Sequence, residues 1–89
     1  MSNHYDNLTA VADHYGLDAQ LHKTLEELEE LYIAIHSRTF SGEGGIYEEI
    51  ADAYNMLDQI AYLTNHEEAI QDIAKRKMIR TFDRIKEEQ

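Results

Sequence analysis

The sequence predicts an all-α protein: a bundle of four helices, the first short and the second to fourth long. Three observations carry that prediction. Apolar residues recur at helical rather than strand spacing along the chain. Proline is absent, and the four glycines (Gly16, Gly42, Gly44 and Gly45) fall at only two places, where they punctuate the periodic runs. A third break is marked by Asn65 followed at i+3 by Glu68, a variant of the capping box that starts helices.

In chain order, Tyr5, Leu8, Val11, Ala12 and Tyr15 share one side of a short first helix that ends near Gly16. Asp18 is placed to cap a second helix over about Ala19 to Ser37, with Leu21, Leu25, Leu28, Tyr32 and Ile35 on one side. RTFSGEGG (38–45) reads as a flexible loop, since three glycines in four residues disfavour any regular element. A third helix spans about Ile46 to Thr64, with Ile46, Ile50, Ala53, Leu57 and Ile60 as its apolar stripe. A fourth continues from about Glu67 to near the end. With 89 residues, one domain over 1–89 is expected. A chain of this size buries only about 60–65% of its unfolded surface, and it has no cysteine to staple a thin core. Self-association is therefore expected.

The charge is uneven. Eighteen acids face eight bases, a formal charge of −10, which disfavours a sequence-independent grip on DNA or RNA polymers. Binding of nucleotides stays open if cations bridge carboxylate to phosphate. The absence of cysteine excludes a disulfide framework and a thiolate zinc site. No leader, membrane-spanning run or lipidation motif is visible, so a cytoplasmic protein without membrane association is expected.

One letter in YEEIADAYNMLD (47–58) is out of place. At about 100° per residue, Glu49 falls inside the edge of the third helix's apolar stripe, beside Met56, whereas Glu48 points away. Asp52 lies on the same shoulder, at i+3. On the second helix LEELEEL (25–31) offers Glu27 and Glu30, also at i, i+3, with Glu29 and Glu26 on the other side. If the two helices run antiparallel across the 38–45 loop, Glu27, Glu30, Glu49 and Asp52 converge. Four convergent carboxylates repel, and an unpaired buried charge favours taking up a proton. A divalent cation resolves both problems, and hard oxygen ligands suit Mg²⁺ or Mn²⁺. The competing reading is a solvated acidic face, with Glu49 paired to a C-terminal base or placed at an exposed edge.

Six of the eight bases crowd the last fifteen residues. The inward stripe of the fourth helix begins with Ile70, Ile73 and Ala74 and continues as Lys77, Arg80 and Arg84. Bases near a helix C-terminus complement the macrodipole in any case. Three of them on an inward face could instead pair with the carboxylates or clamp phosphates. The five histidines show no i, i+4 pairing and read as surface residues, and no cysteine or serine sits in a nucleophile motif. The tyrosines read chiefly as packing residues, with Tyr15, Tyr54 and the 38–45 loop as candidate contacts to a base.

QLHKTLEELEELYIAI, followed after a loop by YEEIADAYNMLDQI, resembles the all-α nucleoside triphosphate pyrophosphohydrolases of the MazG-like superfamily. Their EExxE and ExxD signatures correspond to Glu26, Glu27 and Glu30, and to Glu49 and Asp52. Together with Lys77, Arg80 and Arg84, the pattern looks most like the compact members common in phages and prophages, over roughly residues 14 to 86. The resemblance implies that Glu27, Glu30, Glu49 and Asp52 bind Mg²⁺. It also implies that Glu26 or Glu27 serves the attacking water, that Lys77, Arg80 and Arg84 contact the substrate phosphates, and that an NTP or dNTP is cleaved to NMP and pyrophosphate. Asn55, one turn after Asp52, is a candidate contact to metal or nucleotide. Glu29 and Ala51 stand where many relatives carry glycine. Two alternatives stay open: a non-enzymatic acidic helical module that binds a partner, and a hydrolase of a related anhydride such as phosphoribosyl-ATP.

Overall fold

A computed structural model describes residues 3–89. Its elements are α1 (His4–Tyr15), α2 (Leu17–Ser37), α3 (Ile46–Leu63) and α4 (Glu67–Glu88), and no strand occurs among the described residues. The all-α class and the number of helices are as the periodicity predicts. No helix among the described residues is long and apolar enough to cross a membrane.

The helix ends are set by backbone geometry more than by the caps expected from sequence. Asn3 caps α1, its side chain accepting from Asp6 N–H at 2.8 Å. Gly16, at φ +86°, closes α1 by donating to the Ala12 carbonyl and opens α2 by accepting from Gln20 N–H. Asp18 is therefore not the cap of α2. It lies in the first turn, where its charge suits the helix dipole. Asn65 is not the cap of α4 either. It takes the left-handed conformation (φ +58°) that turns the chain out of α3, and His66 precedes α4 with no side-chain cap bond.

Segment 38–45, expected to be flexible, is knitted to the start of α3. Ile46 and Tyr47 N–H groups donate to the Thr39 and Phe40 carbonyls at 2.9 and 3.1 Å, which satisfies two of the orphan donors at the start of α3. The Glu48 carboxylate accepts from Gly44 N–H at 3.1 Å. A Cβ at Gly45 would lie 2.9 Å from both the Phe40 and Ser41 carbonyl oxygens. Gly45→Ala is expected to destabilise the protein by about 1–3 kcal/mol, read as a lower urea midpoint at unchanged slope.

α3 is the central element, packed along α2 and against α1. The core is small: Leu8, Ala12, Ala34, Ile46, Ala53, Met56 and Ala61 are its buried apolar residues. The buried side of α2 is not its apolar side. Gln20, Thr24, Glu27 and Ala34 face inward, while Leu21, Leu25, Leu28, Tyr32 and Ile35 are exposed, Leu25 by 67%. The two stripes are offset by about 100°, one residue of helical rotation. Tyr5, Tyr15, Tyr32, Tyr47 and Tyr54 are exposed too, so tyrosine does not serve as packing in the way expected from sequence.

α4 departs furthest from expectation. It meets the rest of the chain at the α3–α4 corner, where Tyr5 Oη donates to Glu67 Oε1 at 3.0 Å, and every residue from Glu68 onward is exposed. Within one chain its stripe does not turn into a bundle. Continued at four- and three-residue steps from Ala74, the stripe also stays apolar, through Met78, Phe82 and Ile85, with Lys77, Arg80 and Arg84 along its flank. Within the chain α4 packs on α3 alone, apart from the Tyr5–Glu67 bond, so the exposed apolar stripe of α2 does not receive it.

Candidate metal centre

The seam between α2 and α3 places the acids. α2 contributes Glu27 and Glu30 one turn apart, and α3 contributes Glu49 from its first turns and Asp52 one turn on. Carboxylate oxygens of Glu27, Glu30 and Glu49 all lie within 4.8 Å of one another, whereas Asp52, expected to converge with them, lies outside this group of three, one helical turn further along α3. Glu27 is 8% exposed and Glu49 7%, whereas Glu30 and Asp52 stand toward solvent. The sequence thus located a buried glutamate at 49, and the structure puts it against the α2 pair.

Lys23 is the one cation at this cluster among the described residues. Its ammonium lies 3.3 Å from Glu27 Oε1 and 3.5 Å from Glu26 Oε2, so it leans on one side of the group and leaves the other uncompensated. Glu27 Oε2 and Glu49 Oε2 are buried with no hydrogen-bond partner. Leaving such an oxygen unsatisfied is expensive, and more so for a charged group. Both lie on the α2–α3 seam.

The electrostatics agree. Burial pushes the Glu49 carboxyl above its ordinary range, and the charges of Glu30, Asp52 and Glu27 push the same way. The Asp52 carboxyl is raised as well, first by desolvation and then by Glu27 and Glu48, with Lys23 opposing. Both groups bind a proton more tightly folded than unfolded. Their contribution to stability is therefore fully present below the unfolded carboxylate pKa and is lost as pH rises through the raised folded values. Metal-free protein is expected to melt at a higher temperature as pH falls from 7 toward the ordinary carboxylate range. Glu49→Gln and Asp52→Asn should each flatten that slope, as followed by circular dichroism. An ion that needs the ionised carboxylates would oppose it, so the gain should shrink in excess Mg²⁺.

The remaining predicted site residues divide. Glu26 lies outside the oxygen cluster, exposed and held by Lys23, which agrees with its angular position and not with direct ligation. Asn55 is half-buried beyond Asp52, where its backbone carbonyl accepts from Gln59 Nε2 at 3.2 Å. Lys77, Arg80 and Arg84 are exposed on α4. The described ion pairs are those of Lys23 and the Lys86–Asp83 pair at 3.6 Å, so none joins the α4 cations to the acids. The five histidines are exposed, as expected. Gln20 and Gln59, buried to 5% exposure and bonded to each other at 2.7 Å, went unnoticed in the sequence. Glutamine on a helix carries no pattern that marks it as inward. Compared with known proteins, the chain significantly matches no family model, no curated protein and no solved structure.

Proposed function

We propose that the chain is a Mg²⁺-dependent nucleoside triphosphate pyrophosphohydrolase, cleaving an NTP or dNTP to NMP and pyrophosphate, as its resemblance to MazG-like enzymes implies. The observation that supports this most is the pair of partnerless buried oxygens, Glu27 Oε2 and Glu49 Oε2, on a seam of four carboxylates. Glu27 is paired through Oε1 alone, to Lys23, and Glu49 has no ion pair among the described residues, whereas buried polar atoms are normally all bonded. The clustered donors, Glu27, Glu30 and Glu49, are all carboxylates, the group is exposed at Glu30, and such a set fits a hard ion that keeps waters and meets phosphate.

In this reading Glu27, Glu30, Glu49 and Asp52 hold the ion. Bound there, Mg²⁺ (or Mn²⁺) supplies neutralisation of the triphosphate and a lowered pKa for coordinated water. The protein's own part is positioning. Water adds to the α-phosphorus, the bond between the α-phosphorus and the oxygen bridging to the β-phosphorus breaks, and that oxygen leaves with the electron pair as part of pyrophosphate. A carboxylate accepts the water's proton, a part the resemblance gives to Glu26 or Glu27, both of which Lys23 touches. Lys23 takes the part of nearest cation within the chain.

The α4 cations enter from a second copy in this proposal. Twelve of the eighteen acids precede Glu67, and all bases except Lys23 and Arg38 lie between Lys75 and Lys86. The body of one chain and the α4 of another are therefore complementary in charge. They are complementary in surface as well, since the outward stripes of α2 and α4 are both apolar. A homodimer or homotetramer assembled this way would bring Lys77, Arg80 and Arg84 toward phosphate.

The test is pyrophosphate release from a panel of NTPs and dNTPs, with Mg²⁺, with Mn²⁺ and with EDTA. Metal-dependent release that EDTA abolishes is the expected result. Silence across the panel from folded protein would reject the proposal, in favour of a different anhydride or a binding module.

A further inference from the structure

Beside the acidic cluster, α1, α2 and α3 enclose an open groove of about 510 Å³. Its walls are Val11 and Tyr15 from α1, Ala19 from α2 and Met56 from α3, and the carboxamides of Gln20 and Gln59 line it. His22, Lys23 and Glu26 line it as well. Lys23 is also the residue that holds Glu27, so groove and carboxylates meet at its ammonium.

A buried carboxamide pair is an unusual lining for a thin core, because each amide must find partners or lose hydrogen bonds on folding. Gln59 is fully engaged. Its Oε1 accepts from Gln20, and its Nε2 donates to the Asn55 carbonyl and lies 3.7 Å from Met56 Sδ. Gln20 gives one N–H to Gln59, which leaves its carbonyl oxygen and second N–H as an adjacent acceptor and donor. Thr24 Oγ1 and Gly16 fix the backbone on either side, since Thr24 donates to the Gln20 carbonyl and Gln20 N–H donates to Gly16. The result is a locked polar edge between apolar walls, with an exposed tyrosine at the rim.

We infer that this groove is a nucleobase subsite, in which Gln20, braced by Gln59, reads the hydrogen-bonding edge of the base while Tyr15 lies against its face. The inference deepens the hydrolase reading and rests on it for the triphosphate, which would extend past Lys23 to the carboxylates. A planar heterocycle with neighbouring donor and acceptor atoms matches the Gln20 carboxamide. Val11 and Met56 supply the apolar contact that flat π-faces favour.

The experiment has two arms. In the first, the ribo- and deoxyribonucleoside monophosphates are titrated in EDTA into ¹⁵N-labelled protein, and the side-chain amide signals of Gln20 and Gln59 are followed. A base-dependent shift of those signals is expected. Shifts confined to other residues, or no binding by any monophosphate, would overturn the inference. In the second arm, relative kcat/KM values across the NTP panel are compared for wild type, Gln20→Leu and Tyr15→Ala. Gln20→Leu should reduce discrimination between the best and worst base roughly tenfold. Tyr15→Ala, at an exposed position that leaves the fold intact, should raise KM for every base. Discrimination unchanged in both variants would overturn the subsite. Base-dependent amide shifts without any hydrolysis would keep the groove and remove the hydrolase; hydrolysis without groove shifts would do the reverse.

Discussion

Glu49→Gln and Asp52→Asn are expected to lose metal-dependent pyrophosphate release by roughly 100-fold or more while keeping the helical fold. In the proposed site each substitution removes one ionised ligand, where charge stabilisation by a metal is worth several kcal/mol, and about 1.4 kcal/mol is a factor of ten. The stability signature runs the opposite way and separates a metal site from a structural acid. Without metal, Glu49→Gln relieves repulsion on the seam, so the variant should melt above wild type. Saturating Mg²⁺ should then raise the melting temperature of wild type but not of the variant. A structural glutamate would give a less stable variant and no dependence on Mg²⁺. Wild-type turnover in both variants would sink the assignment of these two ligands.

The second large effect is on assembly. Leu25 is the most exposed residue of the α2 stripe and is not part of its own chain's core, so Leu25→Glu should leave the monomer folded. Leu21, Leu25, Leu28, Tyr32 and Ile35 follow one another at alternating steps of four and three, the spacing of a helix–helix seam. A charge in the middle of such a seam is expected to weaken association by about 2 kcal/mol or more, roughly 30-fold in the dissociation constant. Sedimentation velocity across a dilution series reads this directly. The wild type should sediment as a dimer or tetramer and Leu25→Glu as a monomer over the same range. A wild type that stays monomeric at high concentration would exclude the second copy as the cover for α2 and α4. It would also remove Lys77, Arg80 and Arg84 from the phosphate site.

The number of helices was legible because periodicity needs no knowledge of partners. Gly16 and the 38–45 loop mark chain breaks whatever surrounds them. The buried position of Glu49 was legible for the same reason, since its place beside Met56 depends on helical rotation alone. What a helix faces was not legible. Periodicity finds the most apolar side of α2, but the side turned to α3 carries Gln20, Thr24 and Glu27, because that seam holds the polar groups. The caps failed for a related reason. Asp18 and Asn65 have the right chemistry for a cap, but the left-handed backbone at Gly16 and Asn65 set the helix ends first. Gln20 and Gln59 were invisible because two glutamines thirty-nine residues apart announce nothing until the fold joins them.

The polar seam between α2 and α3 also bears on the life of the chain in a cell. Most small proteins keep their oil inside and meet water with charge. Here acids crowd a buried seam and much of the oil lies on the outside, and in the proposed assembly a cation would answer the first and a twin the second. A newly made copy that finds neither would present greasy helices to chaperones and proteases, so ion and twin together would set how many copies survive. Dosage of the protein would then follow its own assembly.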